Sequence, residues 1–278
     1  MDIIKEIESI PKEEIYQLLI NTFFKYRDLA NTDELYYYTN TSTLISGILR
    51  SKAICLWASR WSHLNDSQEL INGIEAIENI GGPSYLTEAL YKSNYLGHII
   101  SMSMAKDSLP MWNMYGNEGK GVMMIFDIQE LLKKYGGRIQ PCIYSNSEYD
   151  TAVVDKIVNF QDSLRFHWNK NQQLYASFIQ SMHFVTLRKD YHYEYEKEVR
   201  IIGIGNPYYD TEKEINYRYR KDKIIPYVEE NIPKSALKGI CFGPLSEYEN
   251  SQCALIEFLT KNDYKDVVIT KSEIPYRG

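Results

Sequence analysis

The residues of this chain with the clearest chemical potential are the charged side chains in the stretch YEYEKEVRIIGIG. Glu196, Glu198 and Arg200 alternate there, directly before an apolar run. Alternate side chains of a β-strand point to the same face, so these three are predicted to share one side with Ile202 and Ile204. Because that side changes from charged to apolar, we expect the charges at the rim of a catalytic cleft. The alternative is an exposed Glu/Arg ladder of little energetic weight.

A second candidate stretch is WASRWSHLNDSQEL. Asp66 and Glu69 have the spacing of a capping box, in which an N-cap aspartate is followed by a glutamate three residues later. Capping explains both residues without a function. Any functional role of the stretch then depends on Trp57, Ser59 and Trp61, which line a groove if this strand end borders one.

The third candidate stretch is SMSMAKDSLPMWNMYGNEGKGVMMIFD. It places Ser101 and Ser103 on the same face of a predicted strand. Met111, Trp112 and Tyr115 follow with the spacing of one helix face, and such a stripe is typical of a core.

Several protein classes are disfavoured by what the sequence lacks. It contains no GxGxxG, Walker-type loop, HExxH or GxSxG, which disfavours Rossmann dehydrogenases, common nucleoside triphosphatases, zincins and α/β-hydrolases. The net charge of −6 provides no overall basic field for nucleic acid, although YRYRKDK is a local basic patch. The scattered cysteines predict no zinc site, and no metal is expected. Without a signal peptide or a long apolar run, we expect a cytoplasmic protein that does not enter a membrane.

The elements that must position these residues follow from periodicity, caps and turn residues. Strands are predicted at 34–39, 53–59, 98–103, 121–127, 138–144, 197–204, 215–219, 223–228, 237–242 and 266–270. Helices are predicted at 11–29, 40–51, 65–80, up to about 96, around 108–115, at 128–135, 148–183 and 247–261. The helix at 40–51 is expected to be capped by Asn40 or Thr41 and to bury Leu44, Ile45, Ile48 and Leu49 on one face.

The order of these elements lacks regular βαβ alternation, which favours an α+β fold with a mixed, mainly antiparallel sheet flanked by helices. No Pro/Gly/Ser-rich linker interrupts the chain. We therefore predict a helical extension at residues 1–34 followed by a single domain at 35–278.

Six stretches together carry a family resemblance: LYYYT, LWASRWSHLNDSQE, SMSMAKDSLPMWNMYGNEGKGVMMIFD, YEKEVRII, IPKSALKGICFGP and VVITKSEIPYR. In this order they resemble bacterial proteins of the domain of unknown function 2971 family, over residues 35–277. That family in turn is similar to the ADP-ribosyltransferase superfamily, often found in antiviral defence or toxin-like settings. The resemblance implies a split sheet and NAD as a substrate.

The resemblance also implies roles for particular residues. In such transferases a first strand carries a polar or aromatic residue, a second a Ser or Tyr, and a later one a glutamate. These positions correspond here to Tyr37 or Tyr38, to Ser59 or the pair Ser101 and Ser103, and to Glu196 and Glu198. Tyrosines stand where the first strand of these transferases usually has His or Arg.

The expected reaction breaks the bond between nicotinamide and ribose, which builds oxocarbenium character at the anomeric carbon. Glu198 is expected to hold the ribose 2′-OH and stabilise that charge, while Glu196 orients the acceptor or takes its proton. Arg200 or Lys120 would pair with the diphosphate. Tyr38 is assigned a catalytic role together with the two glutamates, and it is also a ring-stacking candidate, as are Trp57, Trp112 and Tyr115. Thr39, beside the tyrosines, is a further binding residue.

Two other readings stay open beside an enzyme that transfers ADP-ribose to a macromolecule or hydrolyses NAD. One is a non-catalytic module that senses a nucleotide or a phage protein. The other is a metal-dependent nucleic-acid enzyme in which Asp66, Glu69 and Glu198 cluster. The acceptor, which would be a protein or a nucleic acid, and the oligomeric state are not predicted.

Overall fold

The computed structural model describes residues 29, 31–64, 73–76, 79, 97–146, 184–205, 213–220 and 222–277. The helices predicted at 11–29, 65–80, up to 96 and 148–183 lie outside the described residues, apart from helical turns at 73–76 and 184–187. Most of the predicted extension at 1–34 and the capping pair Asp66 and Glu69 also lie outside them.

Strands dominate the part of the chain that the structure describes. They are β1 (Glu34–Thr39), β2 (Ile54–Arg60), β3 (His98–Ser103), β4 (Val122–Asp127), β5 (Ile139–Pro141), β6 (Ile143–Tyr144), β7 (Arg188–Lys189), β8 (Glu198–Ile204), β9 (Asn216–Arg220), β10 (Lys223–Ile232), β11 (Leu237–Phe242) and β12 (Val268–Lys271). Ten of these described strands form one sheet in the order β12-β11-β4-β1-β3-β2-β10-β9, with β8 on β3 and β5 on β8. Its pairs are antiparallel except β11 with β12. The predicted α+β class with a mainly antiparallel sheet is confirmed.

The sheet divides at β3. One edge of β3 pairs with β8 along its length. The other edge is shared by β1, through Tyr36 and Ser103, and by β2, which joins it near Ser59 and Ile99. Since a strand edge accepts one partner at a given position, β1 and β2 diverge from β3. We call the space between the diverging β1 and β2 the sheet fork.

One face of the sheet carries the main hydrophobic core. The helices α2 (Ile128–Tyr135) and α3 (Tyr248–Lys261) contribute to it, and so does the short helical segment 41–48. Its buried members from the strands include Leu35, Leu56, Met102, Phe126, Val199, Val228 and Ile240. Within the described residues, no helix combines the length and the apolar character that crossing a membrane requires.

Local signals set the helix boundaries close to their predicted positions. The Asp127 carboxylate caps α2 by accepting hydrogen bonds from the amides of Gln129 and Glu130, and α2 has the predicted bounds. Asn40 caps the segment 41–48 as predicted. The predicted burial of Ile45 is wrong, because its side chain is 38% exposed.

The opposite face of the sheet carries a smaller apolar cluster around the helix α1 (Leu109–Tyr115). Trp112 is fully buried there, and its indole N–H donates to Asp107 Oδ1 at 2.7 Å. The Tyr38 ring meets the Trp112 ring edge-on, with 4.9 Å between their centroids. The apolar stripe predicted for this helix is therefore core at Met111 and Trp112, while Tyr115 is half-buried.

The strand that carries the candidate glutamates differs from the prediction at its start and in a bulge near its end. Glu196 ends a 3-10 turn, and Lys197 adopts a left-handed conformation with φ +43°, so the strand begins only at Glu198. Between its pairings at Ile201 and Ile204, β8 has one more residue than β3, and Gly203 has φ +72°. This bulge turns Ile204 into the main core. The prediction that one strand face runs from Glu196 to Ile204 is wrong.

Gly121 offers a test of the close approach between β1 and the turn after α1. A Cβ atom there would lie 2.2 Å from the carbonyl oxygen of Thr39 and 2.7 Å from that of Gly116. Because both contacts are backbone atoms, we expect Gly121→Ala to lower the free energy of unfolding by about 3 kcal/mol or more. Urea unfolding measures the change.

The matched control is Gly136→Ala, where no atom lies within 4 Å of the added Cβ and only a φ of +52° is unfavourable. We expect a loss of about 1–3 kcal/mol for this variant, from its backbone alone, because φ +52° with ψ −131° is a conformation that glycine adopts far more readily than alanine. A smaller loss at Gly121 than at Gly136 would contradict the packing described above.

Candidate active site

A cavity of about 560 Å³ lies at the sheet fork, a volume within the range of small-molecule sites. Most of the side chains predicted to bind a substrate line it. These are Tyr37, Tyr38, Thr39, Trp57, Ser59, Ser101, Ser103, Tyr115, Glu196, Glu198 and Arg200. Tyr36, Lys189 and Arg218 also line it and were not predicted.

Four buried charged residues form one wall of the cavity, and we call them the charge cluster: Lys189, Glu196, Glu198 and Arg200. The Lys189 Nζ atom lies 2.6 Å from Glu196 Oε2 and 2.5 Å from Glu198 Oε2. Arg200 donates from Nε to Glu198 Oε1 at 2.9 Å and from Nη2 to Glu198 Oε2 at 3.2 Å. Glu196 is 3% exposed and Glu198 is 5% exposed, so the alternative of a solvated ladder is wrong.

The chain brings Lys189 to the glutamates through a short loop. Lys189 pairs with Tyr144 in the parallel pair β6–β7, and its carbonyl accepts a hydrogen bond from the Ser145 amide at 2.8 Å. The 3-10 turn at Tyr191–Glu196 then reverses the chain. The Tyr144 hydroxyl accepts a hydrogen bond from the Glu198 amide at 2.8 Å. Tyr144 therefore contacts both ends of the loop, at Lys189 and at Glu198.

Neighbouring polar groups hold the charge cluster in place. Tyr115 donates its hydroxyl to Glu196 Oε1 at 2.8 Å, and Ser103 Oγ donates to the Glu196 carbonyl at 2.5 Å. Arg200 Nη1 donates to the Thr186 carbonyl at 2.6 Å. The role given to Tyr115 therefore changes from ring stacking to hydrogen bonding. Arg200 is committed to the protein and is not placed to pair with a diphosphate.

Glu198 is held ionised by its neighbours. Burial by itself would raise the pKa of its carboxyl, but Arg200 and Lys189 outweigh that effect and keep the pKa well below its usual range. A carboxylate offers about four acceptor positions, and the described residues fill three of them. The remaining position is on Oε1, which receives only Arg200 Nε from this part of the chain.

Tyr38 has a structural role where a catalytic one was predicted. Its hydroxyl donates to the Ala105 carbonyl at 2.7 Å and accepts the Ser108 amide at 3.1 Å. Burial raises the pKa of this hydroxyl, although the Ser108 amide works against the increase. Because its proton is used by a backbone carbonyl, Tyr38 anchors the turn before α1 and is not available as a proton donor.

Two other predicted binding residues do not reach the cavity. Trp112 is fully enclosed in the smaller apolar cluster, so its ring has no free face for a ligand. Lys120 is exposed in the turn before β4 and does not line the cavity. Its predicted contact with a diphosphate is therefore wrong.

The far end of the cavity, on β2 and the β9–β10 hairpin, carries an arginine that the sequence interpretation missed. Arg218 Nη2 donates to Ser59 Oγ at 2.7 Å. Its guanidinium carbon lies 5.5 Å from the Trp57 ring centroid and 5.7 Å from that of Tyr227. The indole N–H of Trp57 is buried and has no acceptor among the described residues. Arg218 belongs to the YRYRKDK patch. Its tyrosines and arginines alternate, which places them on opposite faces of a strand, but the pattern does not show which face borders a cavity.

Lys189 occupies the position between two carboxylates that a metal ion takes in a carboxylate metal site. Lys189 Nζ bridges the two carboxylates that face the cavity. In the described ranges, no three His, Cys, Asp or Glu side chains are grouped to bind a metal ion. Asp66 and Glu69, which the nucleic-acid reading requires, lie outside these ranges.

Comparison with known proteins identifies one segment of the chain. Residues 111–201 match a family model described as "Protein of unknown function (DUF2971)". The segment begins in α1 and ends in β8, and it contains all four residues of the charge cluster. Searches of curated proteins and of solved structures found no match. The resemblance to the domain of unknown function 2971 family is confirmed for this segment.

The dependence of the fold on Lys189 is testable. Replacing it by methionine leaves Glu198 paired with Arg200 and leaves Glu196 with the Tyr115 hydroxyl in place of a cation. Because an unpaired buried charge is strongly unfavourable, we expect Lys189→Met to lower the free energy of unfolding by about 3 to 5 kcal/mol.

The matched control is Lys134→Met. Lys134 also pairs with a buried carboxylate, at 2.6 Å from Glu230 Oε1, but its side chain is 33% exposed. We expect a loss of about 1 kcal/mol for this variant, measured by the same urea unfolding. Equal losses for the two variants would show that Lys189 has no special role.

The pH dependence of stability tests the ionised state of Glu198. Its pKa in the folded protein lies below the unfolded value of about 4.3. Its ionisation therefore contributes stability that is fully present above about pH 4.3 and is lost as the pH falls through the folded value. We expect the difference in unfolding free energy between wild type and Glu198→Gln to be largest near neutral pH and to narrow below about pH 4. A difference that stays constant with pH would contradict this assignment.

Proposed function

We propose that the cavity binds NAD and that the protein breaks the bond between nicotinamide and ribose, passing ADP-ribose to water or to a macromolecular acceptor. One observation carries the proposal: a buried carboxylate, Glu198, is held ionised in the cavity wall and keeps one acceptor position on Oε1. The cavity volume and the tyrosines and serines that line it support a polar ligand of this kind.

The ionised state of Glu198 restricts the chemistry. A carboxyl group whose pKa is far below neutral has no proton to give, so it cannot serve as the general acid that most glycosidic bonds need. Nicotinamide in NAD is a pyridinium that leaves as a neutral base, and it needs no proton. A fixed carboxylate suits this reaction because it stabilises the positive charge that develops on the ribose.

The electron pair of the broken bond goes to the nicotinamide nitrogen, and an acceptor oxygen forms the new bond to the anomeric carbon. Glu198 Oε1 accepts the hydrogen bond of the ribose 2′-OH. Glu196 receives the acceptor's proton, because the described residues leave room on both of its oxygens beside Lys189 and Tyr115.

A second candidate function is a module that binds a nucleotide without turnover. The pairing within the charge cluster favours it, since both oxygens of Glu198 already contact a cation of the protein. Binding of a nucleotide accompanied by no release of nicotinamide distinguishes this module from the enzyme.

The enzyme proposal is tested by incubating the protein with NAD and measuring free nicotinamide. We expect Glu198→Gln to lower the rate at least about 100-fold, because it removes the charge that stabilises the transition state. This variant also leaves Lys189 and Arg200 with less negative charge between them. We therefore expect some loss of stability as well.

The matched control for that loss is Glu230→Gln. Glu230 is 1% exposed and bonded to Tyr135 and Lys134, but it lies on the main-core side of β10 and does not line the cavity. At a temperature where both variants are folded, we expect Glu230→Gln to keep the wild-type rate within about threefold. The enzyme proposal is refuted if Glu198→Gln releases nicotinamide at the wild-type rate. It is also refuted if the wild-type protein releases no nicotinamide.

A further inference from the structure

We infer that the far end of the cavity, where Arg218, Ser59 and Trp57 converge, binds the diphosphate group of a nucleotide. This inference rests on the proposed function for the identity of the whole ligand, and it replaces the predicted diphosphate contacts of Arg200 and Lys120. The substrate class it names is a nucleoside diphosphate ester, whose bridging phosphates present acceptor oxygens and negative charge.

The groups at this end are donors. Ser59 Oγ already accepts a hydrogen bond from Arg218, so the Ser59 hydroxyl proton points to a different acceptor. The Trp57 indole N–H is buried, and in the described part of the chain it meets no acceptor. An unpaired buried donor is unfavourable by about 1 to 3 kcal/mol. Because the protein encloses this nitrogen, a ligand oxygen satisfies the donor only if the Trp57 ring shifts on binding. Phosphate offers only acceptors, which matches this set of donors.

The guanidinium is preorganised by its surroundings. Arg218 stacks against both Trp57 and Tyr227, whose rings lie 5.1 Å apart at an angle of 40°. Gly47 permits the indole to pack closely, since a Cβ there would lie 3.1 Å from Trp57 Cζ2. Cation–π contacts of this kind fix the plane of an arginine. They also occupy the Trp57 ring, so the indole supports the guanidinium and does not itself stack on a ligand.

The separation of the two ends suits a dinucleotide. Ser59 pairs with Ile99 on β3, and Glu198 pairs with Ser103 on the same strand. Four residues along β3 correspond to roughly 14 Å. This is the separation of the two backbone positions. The Glu198 and Arg218 side chains both line the cavity, and a ribose joined to its diphosphate through C5′ requires them to bridge part of this distance.

The inference is tested by isothermal titration of the full chain with ADP, inorganic pyrophosphate and adenosine. We expect wild type to bind ADP and pyrophosphate and to bind adenosine more weakly. Arg218→Ala should lower the ADP affinity about tenfold to a hundredfold, because a charge-assisted hydrogen bond is lost. Trp57→Phe leaves a smaller ring under the Arg218 guanidinium and should lower the affinity about threefold, less than Arg218→Ala does.

The matched control is Lys223→Ala, which removes one positive charge from the same hairpin at an exposed position. We expect its ADP affinity to equal that of wild type. Should Arg218→Ala misfold, Arg218→Lys tests the same point, because it keeps the charge and loses the planar fork. The inference is overturned if wild type binds neither ADP nor pyrophosphate, if Arg218 and Trp57 variants bind ADP like wild type, or if Lys223→Ala weakens binding equally.

The outcomes separate the inference from the proposed function. ADP binding that depends on Arg218, with no release of nicotinamide from NAD, supports the diphosphate site and refutes the enzyme. Nicotinamide release whose KM is unchanged in Arg218→Ala supports the enzyme and refutes the diphosphate site.

Discussion

The Lys189 ammonium group lies between the carboxylates of Glu196 and Glu198, and this contact allows four charged side chains to be buried together. Each ion loses several kcal/mol of hydration on burial, which only close pairing and full hydrogen bonding offset. The loop from β7 to β8 must therefore close with its lysine in position before Glu198 can remain ionised. The wall of the cavity, and the chemistry that we propose for it, depend on that closure.

The division of the sheet at β3 gives the charge cluster a space to face. If β1 or β2 ran along the whole of β3, the sheet would be continuous there and its side chains would close over the fork. Each strand instead pairs with β3 over only a short length, near Ser103 or near Ile99. The main core is built on the other face of the same strands. The cavity reaches this core at the fork, because Ile48, Ile100 and Met102 belong to the core and also line the cavity.

Local structure was largely predictable from the sequence, because caps, turns and apolar alternation act over a few residues. The bounds of α2 and the position of most strands follow from such signals. The conformations of Lys197 and Gly203 could not be predicted in this way, because a left-handed residue and a bulge change which face a side chain points to without changing the composition of the strand. Partners across the fold were also missed. Two buried carboxylates require a cation, but the sequence does not show which of the neighbouring basic residues pairs with them. It also does not show that Arg218 contacts Ser59.

The two ends of the cavity differ in how their charge acts. The charge cluster contains two carboxylates and two cations, so its formal charge is zero and its field declines quickly with distance. Its effect on a reacting atom therefore comes from the position of Glu198 Oε1 and not from a net negative potential. Arg218 adds positive charge at the other end. A ligand with a cationic pyridinium riboside near Glu198 and an anionic diphosphate near Arg218 complements both ends, and NAD has this distribution of charge.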